Sequence, residues 1–478
     1  MKIVLINPDY MLYSDPPLGL AYLAAYIKKE TDFDIRILDQ LNYKEIEDKI
    51  KEIRPDVIAF TAVSSNFYKV KSLAEEFSRI FPDSTLVIGG VHITISPKSF
   101  EDSPFHIAVR GEGEIPFTKL LKELNKNKKF NYPNLKKIKG LLFTDKNKVV
   151  NTGLSEQIKD LNELPISSRD LLDMNYYTLP TILSHGDLDP FGSIITSRGC
   201  PYNCKFCSSS SFWERRIRFF SAERVANEIE ILYKKYKYRK ICIYDDIFAI
   251  NKDRIRKIIK ILEEKKILGK IRFHAYGRAN LFDEEIARLL KKLNIVSITF
   301  GIETGSQKVL SYLKGGIVTI EDNKRALEIA RKYGFSPGGF FMVGSPYETL
   351  DDMKKTYEFI KKNCRNHFIV YQSIPFPGTE IWDYAIKNKI VNFDYYDKKT
   401  KDFVDIDTDI LLTKEISKEN FKEMFYKIKY LYVAENKSLL LRKFLLLRPR
   451  HIIVFFNKRF IKKAFNLRKQ FIKRVFKI

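Results

Sequence analysis

The chain has 478 residues, of which 45% are hydrophobic and 30% charged, and a net charge of +25. This length predicts two or three domains, this composition excludes a disordered chain, and the sequence shows neither a membrane-spanning apolar run nor a signal peptide. Three of the five cysteines fall within eight residues, which suits a metal site in the reducing cytoplasm better than a disulfide framework.

The first 130 residues alternate short β-branched apolar runs with helical patterns. We predict strands over 2–8, 34–39, 56–62, 84–90 and 106–112, and helices near 18–30, 43–53, 66–81 and 114–125. This alternation predicts a doubly wound, Rossmann-like α/β domain with its ligand at the carboxyl ends of the strands. The candidate binding residues at those ends are Asn7, Thr61, Ser64, Gly89, Gly90, Gly111 and Glu112.

Residues 131–189 are rich in lysine and then irregular, with Pro165 and Pro180 as breaks. We expect a connector there. From 190 to 400 the alternation resumes, with strands near 193–198, 240–246, 271–277, 296–302, 337–344 and 367–374 and helices at about 221–236, 251–265, 283–293, 320–332 and 350–362. Six such units predict a partial (β/α)6 barrel whose active site lies at the carboxyl ends of its strands.

The strongest motif follows the first barrel strand. Cys200, Cys204 and Cys207 form a CxxxCxxC pattern, in which three thiolates on one loop can hold three corners of a [4Fe–4S] cube. No fourth cysteine is near, so one iron would keep an open position. The alternatives are a zinc site, for which a fourth ligand at finger spacing is missing, or unpaired core cysteines.

With Phe206 before its last cysteine, this loop resembles that of the radical S-adenosylmethionine superfamily. IYDDIF (243–248), GIETGS (301–306), FFMVGSPYET (340–349) and PFPGT (375–379) resemble further superfamily motifs in the same order. The resemblance implies S-adenosylmethionine contacts for Phe206, Asp245, Asp246, Arg278, Glu303 and Gly344. For the three acidic residues, helix capping or ion pairing remains the alternative, and for Arg278 a surface ion pair.

The resemblance also implies a chemistry and its partners. S-adenosylmethionine would bind the open iron, and an external one-electron donor of the flavodoxin or ferredoxin type would reduce the cluster. The resulting 5′-deoxyadenosyl radical would abstract hydrogen from a small-molecule or lipid-like substrate. The protein would position this radical and shield it from side reactions.

Three segments of the first domain, 16–27, 88–94 and 109–114, resemble the cobalamin-binding domain found upstream of such barrels. A generic nucleotide-binding domain is the alternative, although no dinucleotide fingerprint or P-loop is present. The D-x-H-x-x-G segment that supplies an axial histidine is absent, and we expect His92 to position its loop rather than bind cobalt. Residues 1–150 contain no cysteine, which argues against a methylthiotransferase.

The region 401–478 is predicted to be helical. From Lys437 onward it holds 14 Lys and Arg and no Asp or Glu, which leaves a charge of +11 for the rest of the chain. Cationic and apolar residues interleave at nearly helical spacing, which favours peripheral attachment to an anionic membrane surface at the cytoplasmic side. A helix packed on the barrel is the second interpretation. Nucleic acid binding is disfavoured, because small polar spacers between stacking aromatics are lacking.

The leading hypothesis is a cobalamin-dependent radical methyltransferase that acts on an unactivated carbon. A second hypothesis keeps both cofactors but assigns oxidative cyclisation or rearrangement. A third is a corrinoid carrier or a membrane-attached binding module without catalysis, against which the open-site cysteine loop argues.

Overall fold

The computed structural model describes residues 1–8, 15–39, 43–127, 130–174, 177, 192–364, 367–398 and 407–431. Two sheets organise these residues, as the sequence predicted. The strands of the first sheet are β1 (Lys2–Asn7), β2 (Asp34–Asp39), β3 (Val57–Thr61), β4 (Thr85–Gly89), β5 (Ile107–Val109), β6 (Leu141–Asp145) and β7 (Lys148–Asn151). Its helices are α1 (Leu18–Glu30), α2 (Tyr43–Ile53), α3 (Phe67–Ile80), α4 (Val91–Ile95), α5 (Glu114–Asn127) and α6 (Tyr132–Leu135).

The first sheet has the order β2-β1-β3-β4-β5-β6-β7, and its first five strands are parallel. Successive residues of β1 alternate between two cores: Ile3 and Leu5 pack on one face of the sheet, and Val4 and Ile6 on the other. Both faces are therefore covered, which explains the nearly continuous apolar strands. The predicted doubly wound domain is confirmed.

The segment 131–189, which we expected to be a connector, contributes structure to this domain. Its strands β6 and β7 extend the first sheet as an antiparallel pair. The turn at Lys146 and Asn147, both with positive φ, joins them. We did not predict these two strands from the lysine-rich sequence. β7 is an edge strand whose side chains are largely exposed, so it lacks the apolar run of a buried strand. The limits that we expected for the domains stay predictions.

The second sheet is the barrel wall, with the order β15-β14-β13-β12-β11-β8 and all strands parallel. Its strands are β8 (Gly192–Ile194), β11 (Lys240–Ile243), β12 (Arg272–Gly277), β13 (Ile295–Glu303), β14 (Ser336–Val343) and β15 (Phe368–Gln372). A separate hairpin consists of β9 (Ser197–Gly199) and β10 (Ile217–Phe219). The helices are α7 (Ser209–Phe212), α8 (Ala222–Lys234), α9 (Lys252–Glu264), α10 (Glu284–Lys292), α11 (Gln307–Lys314), α12 (Ile320–Lys332) and α13 (Leu350–Asn363).

The partial six-stranded barrel is thus confirmed, with one local difference. We predicted a single strand over 193–198, whereas β8 ends at Ile194 and β9 begins at Ser197. The side chain of Asp245 accepts hydrogen bonds from the backbone N–H groups of Thr196 (2.6 Å) and Ser197 (3.1 Å). These N–H groups are thereby turned away from the barrel sheet, so the chain leaves it there.

In the described part of the chain, the barrel is followed by the α-helices α14 (Glu380–Lys387), α15 (Tyr395–Lys398) and α16 (Lys418–Lys429). The helix α16 packs on the barrel through Phe421, Phe425 and Ile428. The basic tail from residue 437 onward lies outside the described residues, so its predicted helix stays a prediction. Within the described part of the chain, no helix is both long and apolar enough to cross a membrane.

Candidate active site

The predicted cluster cysteines lie in the loop between the two strands of the β9–β10 hairpin. Gly199 ends β9 with φ = 95°, and a Cβ there would lie 2.0 Å from the carbonyl oxygen of Arg216. Only glycine fits this close approach. The N–H of Cys207 donates to the carbonyl of Cys204 (3.0 Å), and Cys200 precedes that turn. The loop therefore holds three half-buried thiols in one short segment.

These thiols fit three corners of a cube. Burial raises the pKa of the Cys200 thiol and brings the pKa of Cys207 to about 12, so their thiolates form only beside a cation such as iron. Cys242 and Cys364 are buried elsewhere, on β11 and after α13. Among the described residues, no three His, Cys, Asp or Glu side chains are grouped to hold a single metal ion. A cube, however, takes each thiolate on a different iron.

Arg278 follows β12 and reaches the cysteine loop. Its Nη1 lies 3.5 Å from Sγ of Cys204, and its guanidinium carbon lies 3.7 Å from the ring centre of Tyr202. Nε donates to Asn280 (3.0 Å), while the buried Nη2 has no hydrogen-bond partner among the described residues. Arg278 is therefore beside the candidate cluster, and the surface ion pair that we considered is wrong.

The two acidic residues after β11 have different surroundings. Asp245 is buried, and besides its two backbone donors it accepts from the hydroxyls of Thr196 and Ser197. Both of its oxygens thus accept hydrogen bonds that shape the chain before the cysteines, and its predicted contact with S-adenosylmethionine stays a prediction. Asp246 is exposed and accepts from Ser209 (3.0 Å), just past Cys207.

Glu303 ends β13 in a strained backbone conformation. Its φ is 67°, and the pairing with β14 shifts register between Gly301 and Glu303. The carboxylate pairs with the buried ammonium group of Lys314 (3.0 Å), which also donates to the carbonyl of Gly301 (2.5 Å). A Cβ at Gly301 would lie 2.5 Å from Oε1 of Glu303. We did not single out Lys314 in the sequence, since it lies on α11, a helix that we did not predict.

The remaining barrel candidates pack on opposite sides of the strand ends. Phe206 is half-buried against a cluster that includes Leu313 and Trp382. Gly344 follows β14 with φ = 81°, and a Cβ there would lie 2.8 Å from the ring of Phe421. Gly344 is therefore explained by its contact with α16, and its predicted contact with adenine stays a prediction.

In the first domain, the strand order reverses between β1 and β3, which is where open α/β sheets bind ligands. Asn7 and Thr61 end these two strands, and Val63, just beyond, is 44% exposed. Gly89 ends β4 at the same edge. Nδ2 of Asn7 donates to Oδ1 of Asp39 (2.7 Å). This edge, which we call the cradle, combines small side chains with an exposed apolar residue, and such a lining suits the ring of cobalamin.

Three other candidates at this edge make contacts within the protein. A Cβ on Gly90 (φ = 99°) would lie 2.6 Å from the carbonyl oxygen of Ala62, and one on Gly111 would lie 2.4 Å from Oγ of Ser155. Ser64 is buried, with its Oγ 2.9 Å from Nδ1 of His92. These three residues shape the loops, and their predicted contacts with cobalamin stay predictions.

His92 has the positioning role that we expected. Its Nδ1 faces Ser64, and its Nε2 lies 3.1 Å from Oγ of Ser99, so both nitrogens are engaged. Burial lowers the pKa of His92 to about 3, which keeps the ring neutral. No nitrogen of this side chain is left for a metal.

Glu112 is not in the cradle. Its carboxylate is buried and pairs with Arg198 (2.5 Å) and Arg218 (2.7 Å), which are cross-strand partners in the β9–β10 hairpin. Glu114 adds a second contact to Arg198 (2.6 Å). The carboxylate of Glu112 thus joins the first domain to the hairpin that carries the cysteines, and its predicted contact with cobalamin stays a prediction.

The helices next to the cradle and to the cysteine loop meet at the domain boundary. The helix α4, which follows β4, lies against α7, which follows Cys207. Ser211 of α7 also donates to the carbonyl of Gly378, which approaches Ile95 of α4. The cysteine loop therefore packs on the first domain at the helix that follows the cradle strand β4.

Comparison with known proteins agrees with this arrangement. The family model described as the radical SAM superfamily matches residues 194–360, and that of the B12 binding domain matches residues 11–121. An uncharacterized methyltransferase of Pyrococcus horikoshii is 34% identical to this chain, over 82% of this chain and 84% of its own length. An anaerobic magnesium-protoporphyrin IX monomethyl ester cyclase of Cereibacter sphaeroides is 27% identical, over 83% of this chain and 65% of its own.

A solved structure shows the same fold. It is a radical S-adenosylmethionine methyltransferase of Kitasatospora setae with cobalamin and a [4Fe–4S] cluster bound, with a TM-score of 0.66 at 19% identity, over 80% of this chain and 75% of that chain. The two matched domains bring a [4Fe–4S] cluster, S-adenosylmethionine and cobalamin as cofactors. The chain is an enzyme that belongs to the radical S-adenosylmethionine superfamily, in the class that carries a B12-binding domain before its barrel.

Proposed function

We propose that this enzyme transfers a methyl group to an unactivated carbon of a small-molecule substrate. The observation that carries the proposal is the packing of the cysteine hairpin on the first domain, through the ion pair of Glu112 with Arg198 and the contact of α4 with α7. A substrate between them contacts both cofactor sites at once, as the hypothesis requires. A non-catalytic corrinoid carrier has no use for the second site.

The assignment of residues to cofactors follows their positions. The cluster would be held by Cys200, Cys204 and Cys207. S-adenosylmethionine would be held by residues at the strand ends around that loop: Phe206, Asp246, Arg278, Glu303 and Gly344. Cobalamin would rest on the edge of the first sheet, at Asn7, Thr61, Gly89 and the loops shaped by Ser64, Gly90 and Gly111. When bound, the cluster and S-adenosylmethionine supply hydrogen abstraction, and cobalamin supplies the methyl group.

Arg278 is the cation best placed to orient the small cofactor. Its buried Nη2 lacks a partner within the described part of the chain, and a carboxylate would satisfy it in a charge-assisted hydrogen bond. Glu303, neutralised by Lys314, offers an acceptor without leaving an uncompensated buried charge.

The test is anaerobic incubation of the reconstituted enzyme with methyl-labelled S-adenosylmethionine, a chemical reductant and fractions of cell extract. Methyl transfer predicts a labelled product that is heavier by one methylene, together with 5′-deoxyadenosine and S-adenosylhomocysteine in equal amounts. The control is the variant in which the three cysteines are replaced by serine. It must form neither the labelled product nor 5′-deoxyadenosine. An unlabelled product formed together with 5′-deoxyadenosine excludes the proposal.

A second function has support from the cyclase relative. Oxidative cyclisation would use the same cofactor sites, but its product would lose hydrogen and gain no carbon. The mass of the product separates the two reactions in the same incubation.

We also propose that the basic tail from Lys437 onward attaches the enzyme to the cytoplasmic face of a membrane. Fourteen cationic residues interleaved with apolar ones support it. Full-length protein should float with anionic vesicles, whereas protein ending at Glu435 should not; vesicles of neutral lipid are the control. Equal flotation of the two proteins excludes attachment through the tail.

A further inference from the structure

Four aromatic rings line the inner face of the barrel wall, and none belongs to the cofactor sites described above. They are Tyr244, directly after β11, Tyr276 on β12, Phe340 on β14 and Tyr371 on β15. Strand alternation places their neighbours Ile243, Ala275, Phe341 and Val370 in the core between the barrel wall and the outer helices. These four rings, the aromatic row, therefore face the interior of the barrel.

The rings of the aromatic row touch in sequence across the barrel. Tyr244 stacks on Tyr276 with ring centres 5.8 Å apart, Tyr276 stacks on Phe340 at 5.9 Å, and Phe340 contacts Tyr371 at 6.4 Å. The strand between Tyr276 and Phe340 contributes the small residues Thr299 and Gly301 at this level. Because β13 presents no large side chain there, the row crosses it without interruption.

One end of the row is polar and lies at the domain boundary. The hydroxyl of Tyr244 donates to Oδ2 of Asp15 (2.6 Å), a residue of the first domain just before α1. Tyr276 lies two residues before Arg278, whose guanidinium contacts Cys204. The inner part of the row thus lies next to the first domain and two residues from the arginine that contacts the cysteine loop.

The other end of the row is open. β15 is the edge strand of the barrel wall, and its inward side chains Ile369 and Tyr371 are 43% and 46% exposed. Exposed apolar side chains that continue a row of aromatic rings next to a reactive site are typical of a ligand-binding surface. Rings already stacked on one another leave their edges available, and ring edges favour contact with the face of a flat π system.

We propose that the aromatic row is the binding site for the substrate: a flat, conjugated and largely apolar molecule whose single hydroxyl group is bound by Asp15 and Tyr244. The inference rests on the proposed function, since it names the substrate class of that same site. The ring system lies along the row, and the hydroxyl end lies at the domain boundary. The pair Asp15–Tyr244 sets which end of the substrate approaches the cofactors.

Two probes of the same shape test this assignment without turnover. Phenanthrene and 9-phenanthrol differ by one hydroxyl, and equilibrium dialysis against full-length protein loaded with cluster and cobalamin measures both affinities. Wild-type protein should bind 9-phenanthrol about tenfold more tightly than phenanthrene. Asp15→Ala and Tyr244→Phe should abolish this preference and leave phenanthrene binding unchanged.

Variants at the open end test the aromatic row itself. Tyr371→Ser should weaken the binding of both probes about fivefold, whereas Tyr371→Phe should bind as wild type does. Phe393→Ser is the matched control, because Phe393 is 56% exposed and lies outside the barrel wall. If Tyr371→Ser and Phe393→Ser bind phenanthrene equally well, or if the hydroxyl preference survives in both Asp15→Ala and Tyr244→Phe, the proposal is wrong.

Binding and methyl transfer are measured separately, so the two proposals can fail separately. If probe binding depends on the aromatic row but the turnover assay yields no labelled product, the proposed substrate site is supported and methyl transfer is rejected. If the enzyme forms a labelled product but the substitutions do not change probe binding, the proposed substrate site is rejected and methyl transfer is supported.

Discussion

Nη1 of Arg198 lies 2.5 Å from Oε1 of Glu112, and both side chains are buried at the boundary between the two domains. Arg198 is two residues before the first cluster cysteine, on the strand that leads into the cysteine loop. Although burial alone would raise the pKa of Glu112, the guanidinium groups of Arg218 and Arg198 hold it below its usual value. The charge of Glu112 thus secures the position of the cysteine hairpin relative to the first domain.

We predict that Glu112→Gln loosens this hairpin. The substitution leaves two neighbouring guanidinium groups with only Glu114 between them, and breaking a buried pair costs about 3 to 5 kcal/mol. The free energy of unfolding should fall by about 3 to 5 kcal/mol, and the amount of iron retained per chain should fall as well. Lys28→Gln is the control, because it removes an exposed pair with Asp170 worth less than about 1 kcal/mol. If Glu112→Gln retained as much iron as Lys28→Gln does, the ion pair of Glu112 with Arg198 would not support the cluster.

Asp245→Ala should lower iron retention through a different contact. It removes the acceptor of two backbone N–H groups and two hydroxyls at Thr196 and Ser197. Each buried donor left without a partner costs about 1 to 3 kcal/mol. Asp246→Asn, one residue further on, serves as the neighbouring control and should keep wild-type stability, since its side chain is exposed. Similar unfolding midpoints for the two variants would refute the structural role of Asp245.

The sequence predicted the fold because its strongest signals are local. Apolar runs and helix caps depend on neighbours in the chain. At the start of α8, for example, the Ser221 side chain accepts from the N–H of Arg224 (3.1 Å). The CxxxCxxC spacing is equally local. These features marked the barrel, the doubly wound domain and the cysteine loop.

The contacts that the sequence did not predict join distant segments of the chain. Glu112 follows a strand end, as a ligand-binding residue would, but its partners Arg198 and Arg218 are 86 and 106 residues away. Asp245 likewise belongs to a motif, yet its partners lie 48 and 49 residues before it. No pattern in a single sequence shows which arginine or hydroxyl will meet a given carboxylate.

Arg278 should control the binding of S-adenosylmethionine rather than the binding of the cluster. Arg278→Gln removes a charge-assisted donor, which predicts roughly a 30-fold loss of affinity for S-adenosylmethionine. Iron content should stay near that of wild type, since the three cysteines are intact. Arg278→Lys should recover part of the affinity, because it restores the charge but not the planar donor set. The measurement is the change in the electron paramagnetic resonance signal of the reduced cluster on titration with S-adenosylmethionine. If Arg278→Gln gives the same titration curve as wild type, Arg278 does not bind S-adenosylmethionine.

Glu348 makes the stability of the barrel depend on pH. Its carboxyl is fully buried in the turn after β14, and burial raises the pKa of Glu348 to about 8, although the N–H groups of Gly344 and Ser345 donate to it. An acid with a raised pKa in the folded state binds its proton more tightly there than when unfolded, so its contribution is present at acid pH and is lost as the pH rises from about 5 to 8. We therefore predict that Glu348→Gln flattens this decline, which is on the order of 2 to 4 kcal/mol in the wild type. Unfolding in urea at pH 5.5 and pH 8.5 measures it, with Glu321→Gln, an exposed carboxylate on α12, as the control for loss of one negative charge. A decline that is as steep in Glu348→Gln as in Glu321→Gln would place the pH dependence on another group.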